Sequence, residues 1–316
     1  MPETHLACGY YRYYGQGDFI GALAEFQRAE EGLPHNVDIL EAIALIQRRL
    51  MHWDEAIEAA RRAIEIDPRN IHTSLVLMET HSFMRDFPEV HAIADRLFAQ
   101  DPTNEEALWL KVRAYWSIGD LNSVEPLLAN PGFPPVLRGM CALFQRRYEA
   151  AIDIFSRALA NSSTDDDKRD ILFRLGLSQL RAGDVPAARA SYQRAIQILN
   201  HELERTAPDS PYGVHGDLGL AYAGLGDASS AVAEGQKAIS ILPAFKDPFE
   251  GPKAEEDMAR IYAFLGDADH AIPILKRLLQ IPYSLSITSG LLRLHPDWDP
   301  IRSDPRFQEL TREKKP

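Results

Sequence analysis

The sequence predicts an all-α solenoid of about eight helix-turn-helix repeats, closed by a short helical C-terminal cap. Three observations carry that expectation. Prolines recur at Pro34, Pro68 and Pro102, each 34 residues after the last, and the later two close the similar endings Ile66-Asp67-Pro68 and Gln100-Asp101-Pro102. Small or branched apolar residues keep the same interval at Ala22, Ala56, Val90 and Val124. A polar turn stands before each of them: Gly17-Asp18, Trp53-Asp54, Asp86-Phe87 and Gly119-Asp120. A fixed period of this length marks an array of supersecondary units that bury their apolar faces only by stacking.

Each unit reads as helix A, a tight turn and helix B. A small residue midway in A and an alanine early in B let the two backbones approach, and a proline ends B because it cannot continue the helix. The first repeat has Gly9, the turn Gly17-Asp18-Phe19, then Ala22, Phe26, Ala29 and Pro34; its helix A carries one extra residue, absorbed near Gly15. The second has Ala44, Trp53-Asp54, Ala56, Ala60, Ala63 and Pro68, with Glu58 and Arg62 paired i,i+4 on a solvated face. The third keeps Asp86-Phe87, Val90, Ala94, Leu97 and Pro102, and the fourth Trp109, Tyr115, Gly119-Asp120 and Val124. Asn130-Pro131-Gly132 then cuts helix B short, and a kink or change of pitch is expected over Pro131 to Pro135.

The fifth repeat arrives 27 residues on, with Gly139, Tyr148, Ala151, Phe155 and Ala158. Asn161 to Asp167 is a polar loop whose serines and aspartates suit a helix N-cap. The sixth carries Leu175-Gly176, Gly183-Asp184, Ala188, Tyr192 and Ala195, its helix B running through Arg205 to a stop at Pro208 and Pro211. The seventh has Leu218-Gly219, Tyr222, Gly226-Asp227, Ala231, Ala238 and Pro243; the eighth has Tyr262, Gly266-Asp267, Ala271, Leu278 and Pro282. No sustained alternation of period two appears, so strands are not expected. The expected domains are a regular block over 1–130, an irregular block over 131–283 and a capping segment over 284–316.

Composition narrows the function classes. The chain is 45% hydrophobic and 25% charged, a folded rather than a disordered balance. Its formal charge of −12, from 46 acidic against 34 basic residues, argues against direct binding of nucleic acid. Cys8 and Cys141 are the only cysteines, which rules out a disulfide scaffold and fits a reducing compartment. Met1 to Asp18 lacks the apolar middle of a signal peptide, and nowhere do about 18 apolar residues run together, so no membrane span and a cytoplasmic location are expected.

Leu175-Gly176, Gly183-Asp184, Ala188, Tyr192, Ala195, Tyr222 and Pro243 stand at the defining offsets of the tetratricopeptide consensus, and the resemblance covers close to nine-tenths of the chain. It implies a right-handed superhelical solenoid whose concave face, lined mostly by helix A, binds peptides or protein segments. The stretch Leu291 to Phe307, with its His295-Pro296-Asp297-Trp298-Asp299-Pro300 core, resembles the closing segment of repeat domains in large bacterial signalling proteins, and Leu6 to Gly15 resembles the start of such an array. There the repeats follow a serine/threonine kinase, a nucleotide cyclase or a winged-helix DNA-binding domain. This chain begins its first repeat within a few residues of Met1, so it reads as a stand-alone relative or as an excised regulatory part.

Two function classes follow: a non-enzymatic interaction or sensor scaffold binding a peptide or partner domain, and a regulatory domain for an attached or associated kinase, cyclase or transcription factor. Enzymatic activity is not expected, since no Gly-x-Ser-x-Gly elbow, phosphate loop or Cys-x-x-Cys pair occurs. No cofactor and no metal are expected. His295, Asp297 and Asp299 could converge on a divalent ion, but Asp297 as an N-cap and Trp298 as a plug of the solenoid end account for them better. Asp165-Asp166-Asp167 reads as a solvated cap, and His52, His72, His81 and His91 as surface or groove residues.

The resemblance places helix A positions on the concave face. In the regular block these are Tyr10, Tyr13, Tyr14, Arg48, Arg49 and Glu79, then Trp109, Arg113 and Trp116; in the irregular block they are Phe173, Arg181 and Arg260. Aromatic and arginine side chains in a concavity suit recognition, and an acidic or phosphorylated segment is the expected partner. Some tetratricopeptide proteins grip a C-terminal carboxylate with Lys and Asn on successive A helices. Here those offsets hold Leu6, Tyr10, Glu41, Leu45, Leu75 and Glu79, so that clamp is not expected.

Overall fold

The turn between the two helices of a repeat needs one residue in the left-handed backbone region, and that requirement sets the register of the whole chain. In the computed structural model, which describes residues 1–129, 132–205 and 212–312, positive φ occurs at the repeat turns at Gly17, Met51, Arg85, Gly119, Arg146, Gly183, Gly226 and Gly266, and beyond the repeats at Leu285. The intervals between the repeat turns are 34, 34, 34, 27, 37, 43 and 40 residues, the spacing of the helix B alanines in the sequence. Glycine takes this conformation at little steric cost, whereas Met51, Arg85 and Arg146 adopt it against their Cβ atoms.

The helices are α1 Pro2–Tyr10, α2 Phe19–Gly32, α3 Val37–Arg49, α4 Trp53–Ile66, α5 Ile71–Phe83, α6 Phe87–Gln100, α7 Glu105–Ile118, α8 Glu125–Leu128, α9 Pro135–Phe144, α10 Tyr148–Asn161, α11 Asp165–Ala182, α12 Val185–Arg205, α13 Tyr212–Leu225, α14 Ala228–Ile241, α15 Gly251–Phe264, α16 Ala268–Leu278, α17 Ser289–Leu294 and α18 Pro305–Thr311. No strand occurs among the described residues. Contacts gather the chain into two units. One is Met1–Ala114 with Pro282–Leu285, and the other is Tyr115–Ile281 with Ser286 onward, so the boundary falls inside α7. That division follows contact, whereas the blocks read from the sequence follow periodicity.

In the first unit, α1 continues into a π-helical turn over Tyr11–Gln16, which takes up the extra residue of the first repeat at Gly15. Asp18, Asn36 and Asn70 cap α2, α3 and α5 by accepting from the backbone N–H three residues on. The core is a ladder of A/B contacts in which Ala22, Phe26, Ile39, Ile46, Ala60, Met78, Ala94 and Leu110 are sealed from solvent. Gly9 exists for one of these contacts: a Cβ there would fall 2.3 Å from the Phe26 ring.

The second unit repeats that packing with Phe155 against Gly139 and Tyr192 against Gly176. Helix B of the fourth repeat is reduced to a 3-10 turn, Asn122–Val124, and the four-residue α8. Arg138 closes the gap by donating to the Leu128 carbonyl at 2.6 Å and the Phe133 carbonyl at 3.2 Å. Pro131, Pro208 and Pro211, read as helix stops, lie outside the described residues. Thr164, not one of the aspartates, is the N-cap of α11, accepting from Asp167 N–H at 3.1 Å. His81 is buried rather than at the surface, with its Nδ1 2.9 Å from Asp86.

Candidate functional site

In residues 1–114 the side chains of successive A helices meet one another about 31–32 residues apart in sequence. Thr73 donates to Glu41 at 2.8 Å, His72 lies 3.1 Å from Glu41, and Arg48 donates to Glu79 at 2.8 Å while its guanidinium stacks over the Phe83 ring. Arg49 lies over Phe19 instead, and Arg113 donates to the Leu285 carbonyl at 2.5 Å with its guanidinium over Trp109. Of the four tyrosines at the start, the three expected on the concave face differ. Tyr13 packs on the core beside Phe19, whereas Tyr10 is 36% and Tyr14 75% exposed, their rings stacked 6.2 Å apart. Burial of part of the ring, then Glu41 and Asp38, push the Tyr10 phenol up. The arginines that the sequence offers in this unit are thus engaged with the chain's own groups.

In residues 115–312 the equivalent face is covered. Thr288 donates to the Ser117 carbonyl at 2.6 Å, and Gly290 lies so close to residues 117–119 that a Cβ would meet the Ser117 oxygen at 2.3 Å. Arg293 reaches the Ile118 carbonyl at 2.8 Å. Further along, Arg146 donates to the Leu294 carbonyl at 2.6 Å and to Asp299 at 3.0 Å, and Arg181 to the Pro296 carbonyl at 3.2 Å. The His295 ring stands edge-on to Phe144, which itself meets Trp116 edge-on at 5.0 Å. The segment thus runs along the turns of the fourth, fifth and sixth repeats and on to α15. Trp298 is buried as a plug would be, but the segment lines a face rather than only stopping an end. His295, not Asp297, is the side chain that caps the 3-10 turn Pro296–Ile301.

Asp297 has a different task. Its carboxylate lies 3.1 Å from His295 and 3.5 Å from Arg260, whose guanidinium also donates to Glu256 at 2.8 Å. Burial opposes the charge on Asp297, but His295, Arg260 and Arg181 outweigh it and hold the carboxyl at about 2. Beneath this segment is a cleft of about 150 Å³ lined by Asp170, Phe173, Arg174, Tyr192, Asp217, Arg260, Phe264, His295 and Asp297, with Leu177 and Leu220 among its apolar walls. Arg174 and Asp170 neutralise each other at 2.5 Å. Among the described residues Arg169, at 3.5 Å, is the cation within ion-pair distance of Asp217; desolvation, then the nearby charges of Asp257 and Asp170, push its carboxyl up to about 7.

Of the sequence-derived residues, Phe173 and Arg260 line this cleft, Arg181 flanks it by its pull on Tyr192 and Asp297, and Trp116 is buried beside Phe144. The sequence marks Tyr192 only as a repeat position, and Arg174 and Asp217 carry no expectation from it. Tyr192 occupies the helix B slot that Phe26 and Phe155 fill in other repeats, and the extra hydroxyl is a legible departure. Arg174, Asp217 and Asp257 each stand two residues before the small residue of helix A (Gly176, Gly219, Ala259), so one repeat position carries a row of charges.

The profile of the tetratricopeptide repeat family matches residues 11–71 and 136–211. The chain is similar to tetratricopeptide repeat protein 8 of Caenorhabditis elegans, at 21% identity over 177 residues, which are 56% of this chain and 29% of that protein. The chain spans under a third of that relative. Among solved structures it is similar to a tetratricopeptide repeat protein of Parabacteroides merdae, at 16% identity, 98% of this chain, 97% of that one and a TM-score of 0.43. It is also similar to the APC/C hetero-tetramer Cut9–Hcn1, at 15% identity, 93% and 52% coverage and a TM-score of 0.48. No helix of the described residues is long and apolar enough to cross a membrane.

Proposed function

We propose that this chain, a tetratricopeptide repeat protein, is a non-enzymatic interaction scaffold that presents the helix A face of residues 1–114 to an extended segment of a partner protein. The exposed pair Tyr10 and Tyr14 carries the reading. Large amphipathic rings left in solvent, stacked on each other and backed by a sealed core, offer contact area at low conformational cost. The charge around them selects among partners. Asp38 and Glu41 act on Tyr10, and Arg48 is neutralised by Glu79, so a basic or neutral segment fits this face better than an acidic or phosphorylated one.

The test is a peptide array of basic, acidic and phosphorylated segments probed with the purified chain and with the Tyr10→Ala/Tyr14→Ala double variant. Selective capture of basic segments, lost in the double variant while its Tm is unchanged, is expected. Preference for acidic or phosphorylated segments, or capture that survives the double substitution, overturns the reading.

A further inference from the structure

We propose that the cleft between Tyr192, Asp217 and Asp297 binds a small free amino acid, its carboxylate taken by Tyr192 and Arg260 and its ammonium group by Asp217. This goes beyond the scaffold reading and concerns the other unit. The first observation is a set of buried polar atoms with unmet bonding capacity. Tyr192 is 1% exposed, lines the cleft, and its hydroxyl finds no hydrogen-bond partner among the described residues. Arg260 Nε, in the same lining, and Arg181 Nη2, beside it, also lack acceptors among the described residues. Buried donors without acceptors cost stability, and a bound ligand with acceptor atoms removes that cost. A carboxylate supplies acceptors for the Tyr192 hydroxyl and Arg260 Nε together.

The second observation is the opposite imbalance on the facing side. Asp170, Asp217 and Asp297 line the cleft against Arg174 and Arg260, leaving one negative charge in excess when His295 is neutral. Asp297 and Asp170 have cationic partners within the lining, Arg260 and Arg174, whereas the cation of Asp217, Arg169 at 3.5 Å, stands outside it, so within the cleft the excess rests on Asp217. Asp217 meets Asp257 and Asp170 as like charges and Arg169 and Lys253 as opposite ones, and its carboxyl stands at about 7. An ammonium group against Asp217 repairs that deficit. About 34% of the Asp217 side chain remains open, which gives the cleft a solvent mouth. The remaining walls, Phe173, Leu177, Leu220 and Phe264, suit a short apolar stem.

Size limits the class further. A cavity of about 150 Å³ holds a molecule of the size of benzene, about six non-hydrogen atoms. Alanine, serine and γ-aminobutyrate are of that order, whereas tryptophan is not. A zwitterion is required by the two opposite imbalances; an amine or a carboxylate alone satisfies one and worsens the other.

The experiment is calorimetric titration of the full chain with alanine, serine, γ-aminobutyrate and tryptophan, and with ethylamine and acetate as half-ligands, together with thermal melts. One or more of the three small zwitterions is expected to bind, with tryptophan and both half-ligands at least about tenfold weaker. Tyr192→Phe is expected to raise the ligand-free Tm, because it deletes an unsatisfied buried hydroxyl, and to weaken binding about tenfold or more. Asp217→Asn should likewise weaken binding and should remove the rise in affinity as pH increases through about 7, where Asp217 ionises. The idea fails if no small zwitterion binds at millimolar concentration, if a half-ligand binds as well as the zwitterion, or if Tyr192→Phe leaves affinity unchanged. A purely structural Tyr192 would lower the ligand-free Tm on substitution. Peptide capture by Tyr10 and Tyr14 is indifferent to every one of these outcomes, so the two readings fail separately.

Discussion

The helix A face of residues 1–114 and that of residues 115–312 are built from the same repeat and end in opposite conditions. On the first, an ion pair and a hydrogen bond link the A helices of neighbouring repeats, and the Tyr10 and Tyr14 rings remain in solvent. On the second, residues 288–299 lie along the repeat turns, and Arg146, Arg181 and Arg260 are directed at them. The difference teaches that the repeat supplies a surface but not its use. A helix A face is left open to an extended segment only where the chain has not already laid a segment of its own along it.

The largest expected effect comes from removing the anchor of that occupant. Trp298 is 1% exposed and lies near Phe307 within the covering segment. Trp298→Ala leaves a large cavity and should cost about 3–5 kcal/mol, measured by urea unfolding. The two cysteines locate the damage. Burial pushes the Cys141 thiol up to about 12, and it lies in the second unit, whereas exposed Cys8 lies in the first. In native buffer the variant should expose Cys141 to alkylation while the rate at Cys8 stays unchanged. Equal acceleration at both would show that the segment is not specific to the second unit.

That segment is also where the sequence was least legible. The repeats announce themselves because the A/B pairs draw on the same few local devices: a residue at positive φ between the helices, in several pairs a glycine under an aromatic ring, and in several a proline after helix B. These recur at fixed offsets, and the helix-pair fold follows from them. Gly139 under Phe155 and Gly176 under Tyr192 could be paired by spacing alone. The bond from Thr288 to Ser117 spans 171 residues and the one from Arg293 to Ile118 spans 175, and neither repeats anywhere. No periodicity points to such contacts. The exposed tyrosines were legible as surface groups, but the neutralisation of Arg48 by Glu79 depends on which rotamers meet across two repeats.

A smaller effect separates backbone conformation from tail contact. Gly119 and Gly226 both sit at the left-handed turn position, with φ of 82° and 78°. A Cβ on Gly226 meets nothing within 4 Å, whereas on Gly119 it would fall 2.7 Å from Arg293 Nη2. Gly226→Ala should therefore cost only the conformational term, about 1–2 kcal/mol. Gly119→Ala should cost that and, in addition, displace Arg293 from the Ile118 carbonyl. Equal losses for the two in urea unfolding would show that Arg293 yields without penalty and that this part of the segment is held elsewhere.

The smallest effect changes sign between the two regions. Met51 and Arg146 are both non-glycine residues at the turn position, with φ of 66° and 61°. At either site glycine relieves a left-handed strain of about 1–2 kcal/mol and loses roughly 0.5–1 kcal/mol through the greater freedom of the unfolded chain. In residues 1–114 the balance favours glycine, so Met51→Gly should stabilise by up to about 1 kcal/mol, a Tm rise of a few degrees. Arg146 spends its strained backbone on aim: from that conformation the guanidinium reaches the Leu294 carbonyl and Asp299 at 2.6 and 3.0 Å. Losing two charge-assisted bonds, on the order of 1–2 kcal/mol for this half-buried pair, exceeds the relief. Arg146→Gly should then destabilise where Met51→Gly stabilises. A stabilising Arg146→Gly would mean that the covering segment does not depend on Arg146, and the contrast between the two faces would rest on Arg181, α15 and the turn at Gly119.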